Sequence, residues 1–166
     1  MTGIPPGLTL PAEVLGAAGK YDYADHFAVE SGKEIRQFMA DFFSFRPMWL
    51  KGLYRLRRPL ARILGIEHSL EAVRQFRQQD IPFTPGQRMW IFEVAAAREG
   101  EYWAAVADDV HLRAVLAVIR EIGAGGLPTY RVMTFVRYKN WRGPVYFTLI
   151  RPFHALVVKA MAEAAR

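Results

Sequence analysis

Asp109, His111 and Arg113 stand two apart along the chain. On a β-strand that spacing sends all three side chains out of one face, and an acid beside an imidazole fixes its tautomer or raises its basicity, which is how a general base is assembled. The opposite face would carry Val110, Leu112, Ala114, Leu116 and Val118, an apolar set that reads as core. The polar trio is therefore expected outward, at the surface or in a homodimer interface. A second group lies near the end of the chain, where Arg151 and His154 are three apart on a helical segment that also contains Pro152. Proline inside a helix costs about 3 kcal/mol or imposes a kink, and a kink can open space beneath it. From there Arg151 and His154 would reach the polar head of a ligand; otherwise both lie on the solvent stripe. Tyr146 and Phe153, with Trp49, Trp90, Trp103 and Phe147, supply either the aromatic wall of such a pocket or simply a core.

The charge is concentrated. The formal net charge is +6, and Arg46, Lys51, Arg55, Arg57, Arg58 and Arg62 follow one another with no acidic residue between them, so this segment accounts for the whole excess. Cations on one face with Trp49 and leucines on the other describe either a solvated helix or one lying on an anionic membrane surface. No nucleic-acid module or stacking platform is recognisable, so nucleic acid is not the expected partner. Neither are the zincin, P-loop, dinucleotide or nucleophile-elbow motifs present. The run Gly123 to Gly126 lacks the Lys-Ser/Thr ending of a phosphate cradle, so it reads as a turn, and the sequence leaves the cofactor unknown. Absence of cysteine excludes disulfides, thiolate nucleophiles and Cys-based zinc sites.

The elements that must position these residues are read from hydrophobic periodicity. Hydrophobic residues make up 52% of the 166, against 23% charged, which marks a folded globule; a chain of this length hides roughly 70% of its unfolded surface in one core. Residues 1–20 read as a flexible or loosely docked leader to one domain over 21–166. The leader has no basic n-region before an apolar run, so a secretory signal is not expected and the cytoplasm is the default location. No uninterrupted apolar run reaches the ~18 residues of a membrane span. A first strand is expected over 21–29, then a helix with Ser31 as N-cap and Glu34 completing a capping box, and a further helix over 47–64 interrupted at Pro59. A helical piece over 67–79 would follow. Strands over 89–98, 101–108, 110–122 and 129–138, joined by short turns, form an antiparallel meander. Pro144 suits a first helical position, and the apolar segment from Val145 onward reads as a long helix needing burial nearly all round. It would cover the one sheet face that the meander leaves free.

Four stretches carry a resemblance: Asp22-Tyr23-Ala24-Asp25, Arg46-Pro47-x-Trp49 to Leu53, Asp109 to Leu112, and above all Ile150-Arg151-Pro152-Phe153-His154. They resemble a bacterial family of unknown function whose domain stands alone or follows a short-chain-dehydrogenase-like NAD(P)-binding domain. That family is similar to the helix-grip superfamily, which includes Bet v 1-like and START domains. The resemblance implies an α+β fold in which a curved antiparallel sheet wraps a long C-terminal helix; it supplies no catalytic residues to carry over. The function expected first is binding of a small apolar or amphipathic ligand between sheet and helix. Acid/base catalysis by His111 or His154 comes second, and membrane association through the basic segment third.

Overall fold

The computed structural model describes residues 3–4, 7–45, 47–49, 52, 75–122 and 126–166. Its centre is a sheet of β-branched, aromatic and alanine-rich strands, the composition that suits a pleated surface: β1 (Tyr23–Glu30), β2 (Arg88–Met89), β3 (Phe92–Arg98), β4 (Tyr102–Asp108), β5 (Leu112–Ile122) and β6 (Pro128–Tyr138). The order across the sheet is β1-β6-β5-β4-β3-β2, with every neighbouring pair antiparallel. The last five strands thus form the expected meander, and β1 pairs with its final strand, setting Asp25 opposite Thr134. Helices α1 (Ala12–Ala18), α2 (Ile35–Ser44) and α3 (Arg142–Ala164) complete the described architecture. The protein is an α+β domain with an open six-stranded antiparallel sheet against which the C-terminal helix packs.

Strand periodicity divides the core. On β5, Leu116 and Val118 join a cluster with Val158 and Ala162 of α3 and Phe38, Met39, Phe42 and Phe43 of α2. Their neighbours Val115, Ala117 and Ile119 join a different cluster with Val14 and Ala18 of α1. Both faces of the sheet are therefore covered. The face expected to turn outward with Arg113 is covered by the segment read as a leader, in which Leu10, Val14 and Ala18 are buried. The signal was present in β5 itself, since a run such as Ala114 to Ile119 without alternating polar residues suits a strand buried on both sides.

α2 buries its Phe and Met side chains at helical spacing, and Phe38 stacks on Tyr130 at 4.2 Å between ring centroids. The Tyr130 hydroxyl donates to the Lys33 carbonyl at 2.6 Å, tying α2 to β6. The N-cap is Glu34, with no side-chain hydrogen bond. Ser31 does not cap the helix; its Oγ accepts from the Lys33 N–H at 3.4 Å. The expected strand over 89–98 is broken at Trp90, whose φ of 57° lies in the left-handed region.

α3 begins at Arg142, so Pro144 lies in its first turn. Helix N–H groups there have no intrahelical partner, so a proline is tolerated. Burial is one-sided: Tyr146, Phe147, Val158 and Ala162 are buried, while Leu149, Phe153 and Leu156 are 40% or more exposed. The expected all-round burial fails because α3 meets one sheet and α2 but carries no described element over its outer face. By length and composition alone its 23 residues could cross a membrane, yet the inner side chains are part of the sheet's own core. Pro152 lies on the exposed side, where water can satisfy the Thr148 carbonyl that loses its N–H partner.

The N-terminus of α3 approaches the turn before β5 very closely. A Cβ built on Gly143 would stand 2.6 Å from the His111 carbonyl oxygen and 3.2 Å from Tyr138 Cβ. Gly143→Ala is therefore expected to cost about 2 kcal/mol, because backbone must move to admit a methyl group. A chemical denaturation midpoint measured beside that of the neighbouring exposed variant Thr148→Ala would check this, the latter shifting little.

Candidate functional site

A pocket of about 740 Å³ lies between the sheet and α3, within the size range of small-molecule sites. Its walls come from Trp90, Phe92 and Val94 of the β2–β3 region, Leu112 and Leu116 of β5, and Tyr146, Phe147, Ile150, Val157 and Met161 of α3. The helix residues recur at one-turn spacing on the inner face, and the strand residues at spacing two. Thr134 and His154 also line it, placed by β6 and by the mid-point of α3.

These two are joined. His154 Nε2 lies 3.2 Å from Thr134 Oγ1 and 3.8 Å from Asp25 Oδ2. Asp25 is buried on β1 at 2% exposure, and the Tyr23 hydroxyl donates to its Oδ2 at 2.9 Å. The Tyr23 hydroxyl pKa is pushed up to about 12, first by burial and then by the Asp25 carboxylate, against the opposing pull of Arg151. It thus remains a donor at any neutral pH. The guanidinium of Arg151 lies over the Tyr23 ring, 4.9 Å from its centroid. Among the described residues Asp25 Oδ1 has no hydrogen-bond partner.

The geometry selects among chemistries. A nucleophile–histidine–carboxylate relay needs the hydroxyl on one ring nitrogen and the acid on the other. Here Thr134 and Asp25 both approach Nε2, so the imidazole is not placed to pass a proton between them. The cluster is better suited to presenting polar groups at one wall of an apolar space.

The residues anticipated from sequence separate. Tyr146, His154 and Asp109 line the pocket. Phe153, at 40% exposure, is on the outer face of α3, and Arg151 lies behind the pocket wall over Tyr23. Asp109, His111 and Arg113 do not share a strand face, because β5 starts only at Leu112 and the first two residues belong to the preceding turn. Asp109 accepts from the Val110 N–H. His111 is buried at 4%, its Nδ1 3.0–3.3 Å from the Asn140 side chain, and its carbonyl accepts from the Lys139 N–H at 2.9 Å. Its role is to latch the turn to the start of α3. Arg113 faces α1 and donates to the Ala17 carbonyl at 2.9 Å, so the face expected outward is covered. Trp90 and Phe147 line the pocket, Trp103 is core, and Trp49 is 42% exposed. Not singled out from the sequence were Tyr23, Asp25 and Thr134, which cluster with His154 in the structure; the acid at an inward strand position of β1 was the available signal. The six cations of the basic segment and most of the helix expected over 47–64 lie outside the described residues. Most of the piece expected over 67–79 does too, its end forming a short 3-10 turn at Gln78–Asp80. Among the described residues no group of three His, Cys, Asp or Glu side chains is arranged to hold a metal.

The fold and site define an α+β domain whose antiparallel sheet and C-terminal helix flank an amphipathic pocket, an arrangement compatible with the helix-grip architecture. The chain belongs to the family described as protein of unknown function DUF2867, whose model matches residues 17–161. Searches of curated proteins and of solved structures returned no match.

Proposed function

We propose that this protein binds a small amphipathic molecule between its sheet and α3. The observation that supports it is the contrast within one pocket: walls of Trp90, Phe92, Leu112, Leu116, Val157 and Met161, with Thr134 and His154 meeting over buried Asp25 at one place. Apolar walls with a few convergent polar groups are the general form of a small-molecule site. Burying a ligand's chain would contribute about 25 cal/mol per Å² of apolar surface, and the polar cluster would set its orientation.

Native mass spectrometry of the purified protein, followed by denaturation and extraction, tests this directly. A mass excess released on denaturation is expected, together with its reduction in Val157→Phe, where the larger side chain fills the pocket. An unchanged excess in that variant would place the bound molecule elsewhere. Acid/base catalysis by His154 is a second reading, favoured by the closeness of its Nε2 to Asp25. An activity retained in full by His154→Gln would reject it.

A further inference from the structure

The outer face of α3 is apolar where a surface helix is ordinarily polar. Val145, Leu149, Phe153 and Leu156 are each 40–53% exposed, and at spacings of four, four and three they are neighbours along one ridge. None of them lines the pocket, whose helical wall is the opposite face. Apolar residues scattered singly over a surface need no explanation, but a contiguous ridge marks a contact.

The charges around the ridge identify the kind of contact. From Trp141 to Ala162 the chain has no acidic residue. Exposed Arg142 precedes Val145 by three positions and exposed Lys159 follows Leu156 by three, so a cation closes each end of the ridge, about 26 Å apart along the helix axis. Glu163, the next acid, lies 3.7 Å from Lys159 in a pair exposed on both sides, which binds the lysine only weakly. Trp141 is 70% exposed at the N-terminal end, and the Arg142 guanidinium lies 5.5 Å from its ring centroid. Indole rings settle at the headgroup level of a bilayer. A second copy of the chain fits this face badly. The antiparallel register that overlaps the apolar residues, Val145 on Leu156 and Leu149 on Pro152, also sets Arg142 of each copy on Lys159 of the other, and like charges so placed repel. Lipid phosphates would meet the same two cations with opposite charge.

We infer that α3 lies flat on an anionic membrane surface, its outer ridge entering the headgroup and acyl boundary and Arg142 and Lys159 reaching the phosphates. Tyr146, Phe147, Val158 and Ala162 keep the inner side of the helix in the core, so the contact is one-sided and the helix does not span. This surface is separate from the basic segment between Arg46 and Arg62, and it does not depend on the pocket reading.

Co-sedimentation of the whole chain with vesicles at low salt tests the inference. Vesicles of roughly one-third phosphatidylglycerol should bind it about tenfold more tightly than pure phosphatidylcholine. The double variant Leu149→Ser/Leu156→Ser keeps every cation, and because both positions are exposed its melting temperature should stay close to wild type. Its binding to the anionic vesicles should fall about tenfold. Brominated acyl chains in the same vesicles should quench tryptophan fluorescence, and Trp141→Phe should remove that quenching although Trp49, Trp90 and Trp103 remain. Anionic vesicles that bind no better than neutral ones, or a wild type that is not quenched, would overturn the inference. So would undiminished binding by the double variant or quenching that survives Trp141→Phe, either of which assigns the contact to another part of the chain. A dimer seen by sedimentation velocity in the wild type and lost in the double variant would give this face to a second copy and overturn it as well. Should the double variant fold poorly, the quenching of wild type against Trp141→Phe still decides.

Discussion

Trp103→Ala is expected to lower stability by about 3–5 kcal/mol, the cost of removing a fully buried large aromatic. Trp103 is 0% exposed and stands where β4, β3 and α2 meet, with Phe43 and Phe92 at 5.9 and 6.4 Å between centroids in edge-on contact. Its indole N–H donates to the Pro82 carbonyl at 2.8 Å, anchoring the loop that leads into the strands. Alanine would leave a cavity and an unmet carbonyl together. For a domain of this size each kcal/mol moves the melting temperature by about 2–4 °C, so thermal unfolding followed by circular dichroism should show a drop of roughly 6–20 °C. Trp103→Phe separates the two causes: it keeps most of the volume and loses the hydrogen bond, and a cost near 1–2 kcal/mol is expected. Equal losses in both variants would mean that the hydrogen bond, and not the ring, holds this junction.

Tyr23→Phe should cost about 3 kcal/mol, because the hydroxyl is the donor that satisfies buried Asp25, and hydrogen bonds to charged groups carry about 1.5–3 kcal/mol. The same residue predicts an alkaline signature. Its hydroxyl titrates near 10 in the unfolded chain and at about 12 in the folded protein. Between those values the unfolded state has released a proton that the folded state keeps, so stability falls as pH rises. The contribution is fully present below pH 10 and is lost through pH 12. Its size is about 1–2 kcal/mol once solvent screening at the sheet edge is allowed for. Urea denaturation at several pH values should therefore show an alkaline decline in the wild type that is shallower in Tyr23→Phe. Parallel declines in the two proteins would remove Tyr23 from its place in the Asp25 cluster.

The meander followed local composition and turn chemistry: Gly100 takes the left-handed turn between β3 and β4 with φ 75°, and aromatic or β-branched runs bounded by such turns determine strands wherever the run lies. The long terminal helix was equally local, set by the change of period after Trp141. His154 and Tyr146 could be nominated because their helical spacing put them on one rod.

What remained depended on contacts distant along the chain. Asp25 becomes a site residue only when β1 pairs with β6 and α3 brings His154, 129 positions later in the numbering, to 3.8 Å. His111 and Arg113 carried the right types for catalysis, yet one became a latch to Asn140 and the other a clamp on α1, because β5 began one residue after His111 and the leader docked on its second face. By itself, then, the sequence determined the α+β class, the meander and the identity of the packing helix, since hydrophobic period and turn residues act within a few positions. Only the tertiary structure decided which polar residues face the pocket, because sheet register and the covering of each face are settled by packing between segments far apart in the chain.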